Sequence, residues 1–254
     1  MNIKRVPFVK LGNKKMDIKH FINYLPFDSK KIIEPFCGSF AVSRLLYDPE
    51  KYTIHINDID SNLYYILTHM DAFVKFRVSL MDYYANNKDI KAKDLKAYID
   101  SFDNIDNSFK ETINQSCFVR GAVVKVPKIK YDYSNLIKFL NKVEITNDNF
   151  NTTMDKYIND QDAFLFCDPP YFGSDNTNYK TFNITIDKDN KIIDNTYIYV
   201  YLSKFIKICK CRIMIVINDN AILRYLFDGY IKATYDKLYS ISKKKDTLMI
   251  ITNY

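Results

Sequence analysis

The chain has 254 residues, 47% of them hydrophobic, which allows a substantial core and suits one large domain with an insertion better than two equal halves. A formal charge of +7 and a pI near 8.9 suit a polyanionic partner, although a lysine-rich solvated surface gives the same balance. No apolar run reaches the length of a membrane span, the amino terminus leads into mixed polar sequence, and the five cysteines and three histidines are too dispersed for a disulfide framework or metal centre, so an intracellular, metal-free protein is expected.

The first informative stretch, Phe8-Val9-Lys10-Leu11-Gly12-Asn13-Lys14-Lys15, places a glycine, an amide and cations ahead of a helical pattern of Ile18, Phe21, Ile22 and Leu25. Alone, such a loop equally fits a plain surface turn. Next, Lys31-Ile32-Ile33-Glu34 followed by Pro35-Phe36-Cys37-Gly38 and the helical residues Val42, Leu45 and Leu46 predicts strand, tight loop and helix, the opening of a nucleotide-binding α/β unit. Only Gly38 of a dinucleotide fingerprint is present, and the Lys-Ser/Thr ending of a phosphate loop is absent. Glu34 at the strand's end suits a cationic or hydroxyl-bearing ligand better than a phosphate.

A second strand over 52–56 ends in Asn57-Asp58, about twenty positions beyond the glycine, where a carboxylate meets ribose hydroxyls. Either residue also suits a helix cap, since the pattern of Leu63, Ile66 and Leu67 follows. Nucleoside binding without a pyrophosphate cradle points to S-adenosyl-L-methionine. From 71 to 134 the character changes: a charged helical stretch over 92–102 precedes a strand-like segment in which Gly121 suits a hairpin turn. Arg120, Lys125, Lys128 and Lys130, interleaved with Tyr131 and Tyr133, form the best candidate surface for nucleic acid. A solvated strand edge guarded by lysines gives the same pattern.

Further on, 136–140 predicts a helix and 143–146 a strand ending near Asn149-Phe150. The apolar run Ala163–Cys167 predicts a strand buried on both faces, halted by Asp168-Pro169-Pro170-Tyr171 because neither proline donates a ladder hydrogen bond. The loop thus presents a carboxylate, a rigid backbone and an aromatic ring at a strand's carboxyl end, where open α/β sheets bind ligands, although an isolated Pro-Pro-Tyr also fits an ordinary turn. A polar segment over 173–195 has the composition of a flap. A helix from 197 to 208, a buried strand over 212–217 and a terminal strand over 247–254 complete an alternating α/β pattern.

In this order the motifs resemble those of the Dam-type DNA adenine-N6 methyltransferases, especially their phage and viral branch. Gly12-Asn13-Lys14 is similar to the family's amino-terminal motif, Glu34-Pro35-Phe36-Cys37-Gly38 to its motif I, Asn57-Asp58-Ile59 to its ribose motif and Asp168-Pro169-Pro170-Tyr171 to its catalytic motif. The resemblance implies a Rossmann-like, S-adenosyl-L-methionine-dependent sheet with a reversed final strand, formed by 1–70 and 135–254, and a helical and hairpin target-recognition insertion over 71–134. It implies that Lys10, Gly12, Asn13 and Lys14 contact cofactor or substrate, that Glu34, Phe36 and Gly38 line the methionine side, that Asp58 binds ribose, and that Asn149 and Phe150 flank the cofactor's adenine. Double-stranded DNA is the implied partner, with a bacterial host's cytoplasm or a viral replication site as the setting. Asp168 and the Pro169 carbonyl would each accept a hydrogen bond from the target amino group, and Tyr171 would stack on an adenine flipped out of the duplex. Lys10, Phe40 and Asn149 depart from the residues most relatives carry. Other readings are an RNA or protein-amide methyltransferase, or a DNA-binding subunit that kept the fold and lost turnover.

Overall fold

Neighbouring residues along each central strand point to opposite faces, and both faces are apolar. Ile32, Phe164, Phe166, Met214 and Val216 join one buried cluster, while Ile33, Leu165, Cys167, Ile213 and Ile215 join the other. A sheet with two such faces must be covered on both sides. The computed structural model describes residues 3, 5–8, 14–87, 90–119, 122–123, 132–172, 195–238 and 245–254.

A 3-10 turn, Lys14–Met16, leads into α1 (Ile18–Phe21) and a second 3-10 turn, Ile22–Tyr24. There follow β1 (Lys31–Glu34), α2 (Ala41–Leu46), β2 (Thr53–Asn57) and α3 (Ser61–Thr68). The middle of the chain forms α4 (Met70–Asn86), α5 (Ala92–Asp100), α6 (Asn107–Cys117) and the short strands β3 (Phe118–Val119) and β4 (Ala122–Val123). The remainder is α7 (Ser134–Leu140), β5 (Glu144–Thr146), α8 (Phe150–Asp155), β6 (Ala163–Cys167), α9 (Thr196–Ile208), β7 (Arg212–Asn218), α10 (Ala221–Leu226), β8 (Ile231–Leu238) and β9 (Lys245–Thr252).

The main sheet has seven strands in the order β5-β2-β1-β6-β7-β9-β8. All run parallel except β9, which is antiparallel to both its neighbours, so the final strand is reversed as expected. Chain order changes direction between β1 and β6, and a crevice opens at the carboxyl ends of strands on either side of such a point. Glu34 ends β1 and Asp168 directly follows β6, so both carboxylates belong to its rim.

The expected helix over 18–25 is divided into α1 and a 3-10 turn, and it stops where Pro26 holds Leu25 in an extended conformation (φ −77°, ψ 131°). The expected hairpin forms, with Phe118 opposite Val123 and Val119 opposite Ala122. Five elements were not legible: the long α4, α6, the short α8 and α10, and the edge strand β8. Buried Phe73, Phe76, Arg77 and Leu80 of α4 do follow helical spacing, but the charges among them mask it, and their apolar members join the same cluster that covers the sheet. Lys10, Gly12, Asn13, Arg120, Lys125, Lys128, Lys130 and the segment 173–194 lie outside the described residues. Cys37, Cys167, Cys209 and Cys211 form no disulfide.

Candidate active site

The loop after β1 is shaped by two left-handed residues. Gly38 stands at φ 46°, where a side chain would be strained, and its N–H donates to Asp58 Oδ2 at 2.9 Å. Phe40 adopts φ 40°, ψ 46° without glycine's freedom; it is fully buried and stacks on Phe139 at 6.0 Å, so packing offsets a strain of about 1–2 kcal/mol. The turn carries the chain into α2, whose first-turn Ser43 N–H donates to Glu34 Oε1 at 2.6 Å. Glu34 is only 3% exposed. Burial pushes its carboxyl up to about 7, against the pull of Ser43 and the nearby Arg44 guanidinium, and the Asp168 carboxylate raises it further.

Asn57 fastens three strand ends together. Its amide Nδ2 donates to the carbonyls of Pro35 and Asp148, each at 3.0 Å, and its Oδ1 accepts from Asp148 N–H and the Thr146 hydroxyl, each at 2.8 Å. Asp58 follows with both carboxylate oxygens oriented by backbone donors, Gly38 N–H and Asp60 N–H. Phe36 stacks on Phe150 at 4.9 Å across the gap between the β1 loop and α8. Asn149, the exposed N-cap residue of α8, makes no side-chain cap bond. These groups therefore stand together at the carboxyl ends of β1, β2 and β5. The sequence placed them by motif, but the central role of Asn57 was missed; its signal was an amide beside the ribose-type carboxylate.

Asp168-Pro169-Pro170-Tyr171 follows β6, whose five residues are all buried. The loop is clamped from behind. Asn195 Nδ2 donates to the Pro170 carbonyl at 3.2 Å and the Tyr171 carbonyl at 3.0 Å, and the Tyr199 hydroxyl also donates to Pro170. Asn218, at the end of β7, exchanges two hydrogen bonds of 3.0 Å with the backbone of Phe172. Asn195 and Tyr199 were not recognisable as site residues, since Asn195 reads as the last residue of a polar segment and Tyr199 as helix core.

Lys14 reaches this loop from the amino-terminal turn. Its Nζ lies 2.6 Å from Asp168 Oδ1, donates to the Tyr171 hydroxyl at 3.0 Å and sits 4.9 Å from the Tyr171 ring centroid. Lys14 is 3% exposed and Asp168 20%. Burial raises the Asp168 carboxyl above its ordinary value, countered by the Lys14 cation; burial likewise lowers Lys14, countered by Asp168. The crevice rim therefore carries Glu34, Asp58 and Asp168, a set of acceptors suited to hydroxyls and positive charge and ill suited to phosphate. Among the described residues no group of three or more His, Cys, Asp or Glu is placed to hold a metal ion, and no helix is long and apolar enough to cross a membrane.

A seven-stranded sheet with one reversed strand beside its edge, Glu34 ending β1, Asp58 following β2 and Asp-Pro-Pro-Tyr after β6 together fit a methyltransferase fold. The chain belongs to the family of D12 class N6 adenine-specific DNA methyltransferases, whose profile matches residues 11–133 and 124–247. It is an enzyme of adenine-specific DNA methylation. The chain is 26% identical over 263 residues to the Type II methyltransferase M.CviBI of Paramecium bursaria Chlorella virus NC1A, covering 92% of this chain and 90% of that one. Among solved structures it is similar to a modification subunit ascribed to a type I restriction enzyme from Vibrio vulnificus YJ016, at 9% identity and a TM-score of 0.40. That alignment covers 96% of this chain and spans 44% of the other.

Proposed function

We propose that the crevice methylates N6 of an adenine flipped out of duplex DNA, with S-adenosyl-L-methionine as methyl donor. The observation that carries this reading is the position of Asp168, a partly exposed carboxylate paired with buried Lys14 on a clamped loop at the sheet's switch point. Asp58 suits the ribose hydroxyls, Phe36 and Phe150 supply an aromatic wall, Glu34 and Gly38 line the methionine side, and Asn149 offers a side chain toward the donor's adenine. Lys10, Gly12 and Asn13 are assigned to the same site by motif. When bound, the donor supplies an electrophilic methyl group on a sulfonium.

The protein's task is to prepare the amine. Adenine N6 is a poor nucleophile because its lone pair is delocalised into the ring. Hydrogen bonds from the amino group to Asp168 and the Pro169 carbonyl localise that pair; the clamp of Asn195 and Tyr199 engages the next two carbonyls. Pro170 stiffens the turn, and Tyr171 offers a stacking face that offsets part of the few kcal/mol of unstacking. Lys14 keeps Asp168 ionised and thus able to accept.

Residues 71–134 form the target-recognition part in this reading, with Arg120, Lys125, Lys128 and Lys130 on backbone phosphates. Incubation with methyl-labelled S-adenosyl-L-methionine and mixed-sequence duplex, followed by digestion to nucleosides, tests the assignment. Label is expected in N6-methyladenine and is lost in Asp168→Ala. Preferential labelling of RNA or protein, or undiminished labelling by Asp168→Ala, would overturn it.

A further inference from the structure

The amino-terminal turn that delivers Lys14 is held by a residue 220 positions away: Lys237 Nζ, on β8, lies 2.5 Å from Asp17 Oδ2. Asp17 is 6% and Lys237 13% exposed, so this pair is removed from solvent. Asp17 is locked to Lys14 by the turn itself, its N–H donating to the Lys14 carbonyl at 2.8 Å. In such a turn residues three apart lie on one side. Beside the pair, His20 stacks on Tyr235 of β8 at 4.4 Å and 7°, and Phe21 packs on Phe166 of β6 at 5.2 Å. The charges therefore alternate along one path: Asp168, Lys14, Asp17, Lys237.

We infer that Lys237 and Asp17 are positioning residues for methyl transfer, setting through the turn where Lys14 meets Asp168. The inference rests on the role given to Asp168 above. A buried ion pair is weak evidence of stabilisation, since apolar replacement is often neutral or favourable, and its better-attested use is to fix one geometry. Here the aromatic contacts already dock the turn on β8 and β6. The ion pair fixes what they do not, the rotation of the turn that points Lys14 at the catalytic loop. Its charges also reach the site. The groups acting on Asp168 are Lys14, Lys237 and Asp17, the two cations lowering its carboxyl and Asp17 raising it, with Glu34 facing it from β1.

The test separates positioning from scaffolding by sign. Lys237→Met removes a cation and is expected to move the acid limb of kcat/KM to higher pH; Asp17→Asn removes an anion and is expected to move it to lower pH. Both are expected to lower kcat by about tenfold to a hundredfold, the scale of a misplaced catalytic group. Limbs that stay in place or move the same way overturn the inference. If either single variant fails to fold, the double variant Asp17→Asn/Lys237→Met, which leaves neither charge unpaired, carries the test. It is expected to fold and to lose kcat. Wild-type kcat in that variant overturns the inference. Asp168→Ala is measured alongside: if it still methylates, the role of Asp168 fails; if it is inactive while the other variants match wild type, only the role of Asp17 and Lys237 fails.

Discussion

Replacing Lys14 with Met keeps the unbranched side chain through its ε carbon and removes the charge from beside Asp168. Lys14 Nζ stands 2.6 Å from that carboxylate at 3% exposure. Removing one partner of a buried pair costs about 3–5 kcal/mol, because the other charge is left uncompensated. Asp168 keeps 20% exposure and can take up a proton instead, so a loss of about 3 kcal/mol is expected at neutral pH, or roughly 6–12 °C in Tm for a chain of this size. Burial already raises Asp168, and without Lys14 its carboxyl rises further. A carboxyl raised on folding contributes stability below its unfolded value and loses it as pH climbs through the folded value. The Tm deficit of Lys14→Met is therefore expected to be small in acid and to widen toward pH 8, while the acid limb of kcat/KM moves upward. Thermal melts from pH 5 to 8, with labelled-methyl transfer over the same range, measure both. A pH-independent deficit with an unmoved acid limb would refute the pairing as the means of keeping Asp168 charged.

Glu34 gives the complementary pH test. Its carboxyl is raised from 4.5 to about 7, so ionising it in the fold costs about 3 kcal/mol, a stability present below pH 4.5 and lost as pH rises through 7. Glu34→Gln keeps an acceptor for Ser43 N–H and is expected to raise Tm at pH 8 and leave it unchanged at pH 5; equal effects at both would remove the buried charge from the account. Asp58→Ala is expected to weaken S-adenosyl-L-methionine binding roughly tenfold to a hundredfold by calorimetry, and affinity within twofold of wild type would place the ribose elsewhere. Asn195→Ala leaves the Pro170 and Tyr171 carbonyls short of a donor, at about 1–3 kcal/mol. It should lower kcat while sparing donor affinity, and the reverse split would place Asn195 with the donor site.

What could be read in advance was set by local chemistry. The run Ala163–Cys167 has only one way to bury five consecutive apolar side chains, and the prolines after it fix where it stops. Glu34, Asp58 and Asp168 were legible as candidates because Glu34 ends a strand and the other two directly follow one, the place where open α/β sheets bind ligands. β8 was not legible: as an edge strand it alternates exposed and half-buried positions around a single buried Tyr235, and its Lys and Asp residues read as loop. That omission hid Lys237, just as the loop-like surroundings of Asn195 hid the clamp. Residues whose partners lie from 24 to 220 positions away leave no spacing to recognise.

The left-handed Phe40 has an evolutionary consequence. Its backbone favours glycine, yet its ring fills space against Phe139 of α7. A change to glycine would relax the turn and open a hole at the same moment, so the two effects oppose each other and neither residue drifts alone. Positions 40 and 139 should therefore change together among descendants, glycine at one arriving with a bulkier side chain at the other. The geometry of the loop after β1 is in this way heritable as a pair.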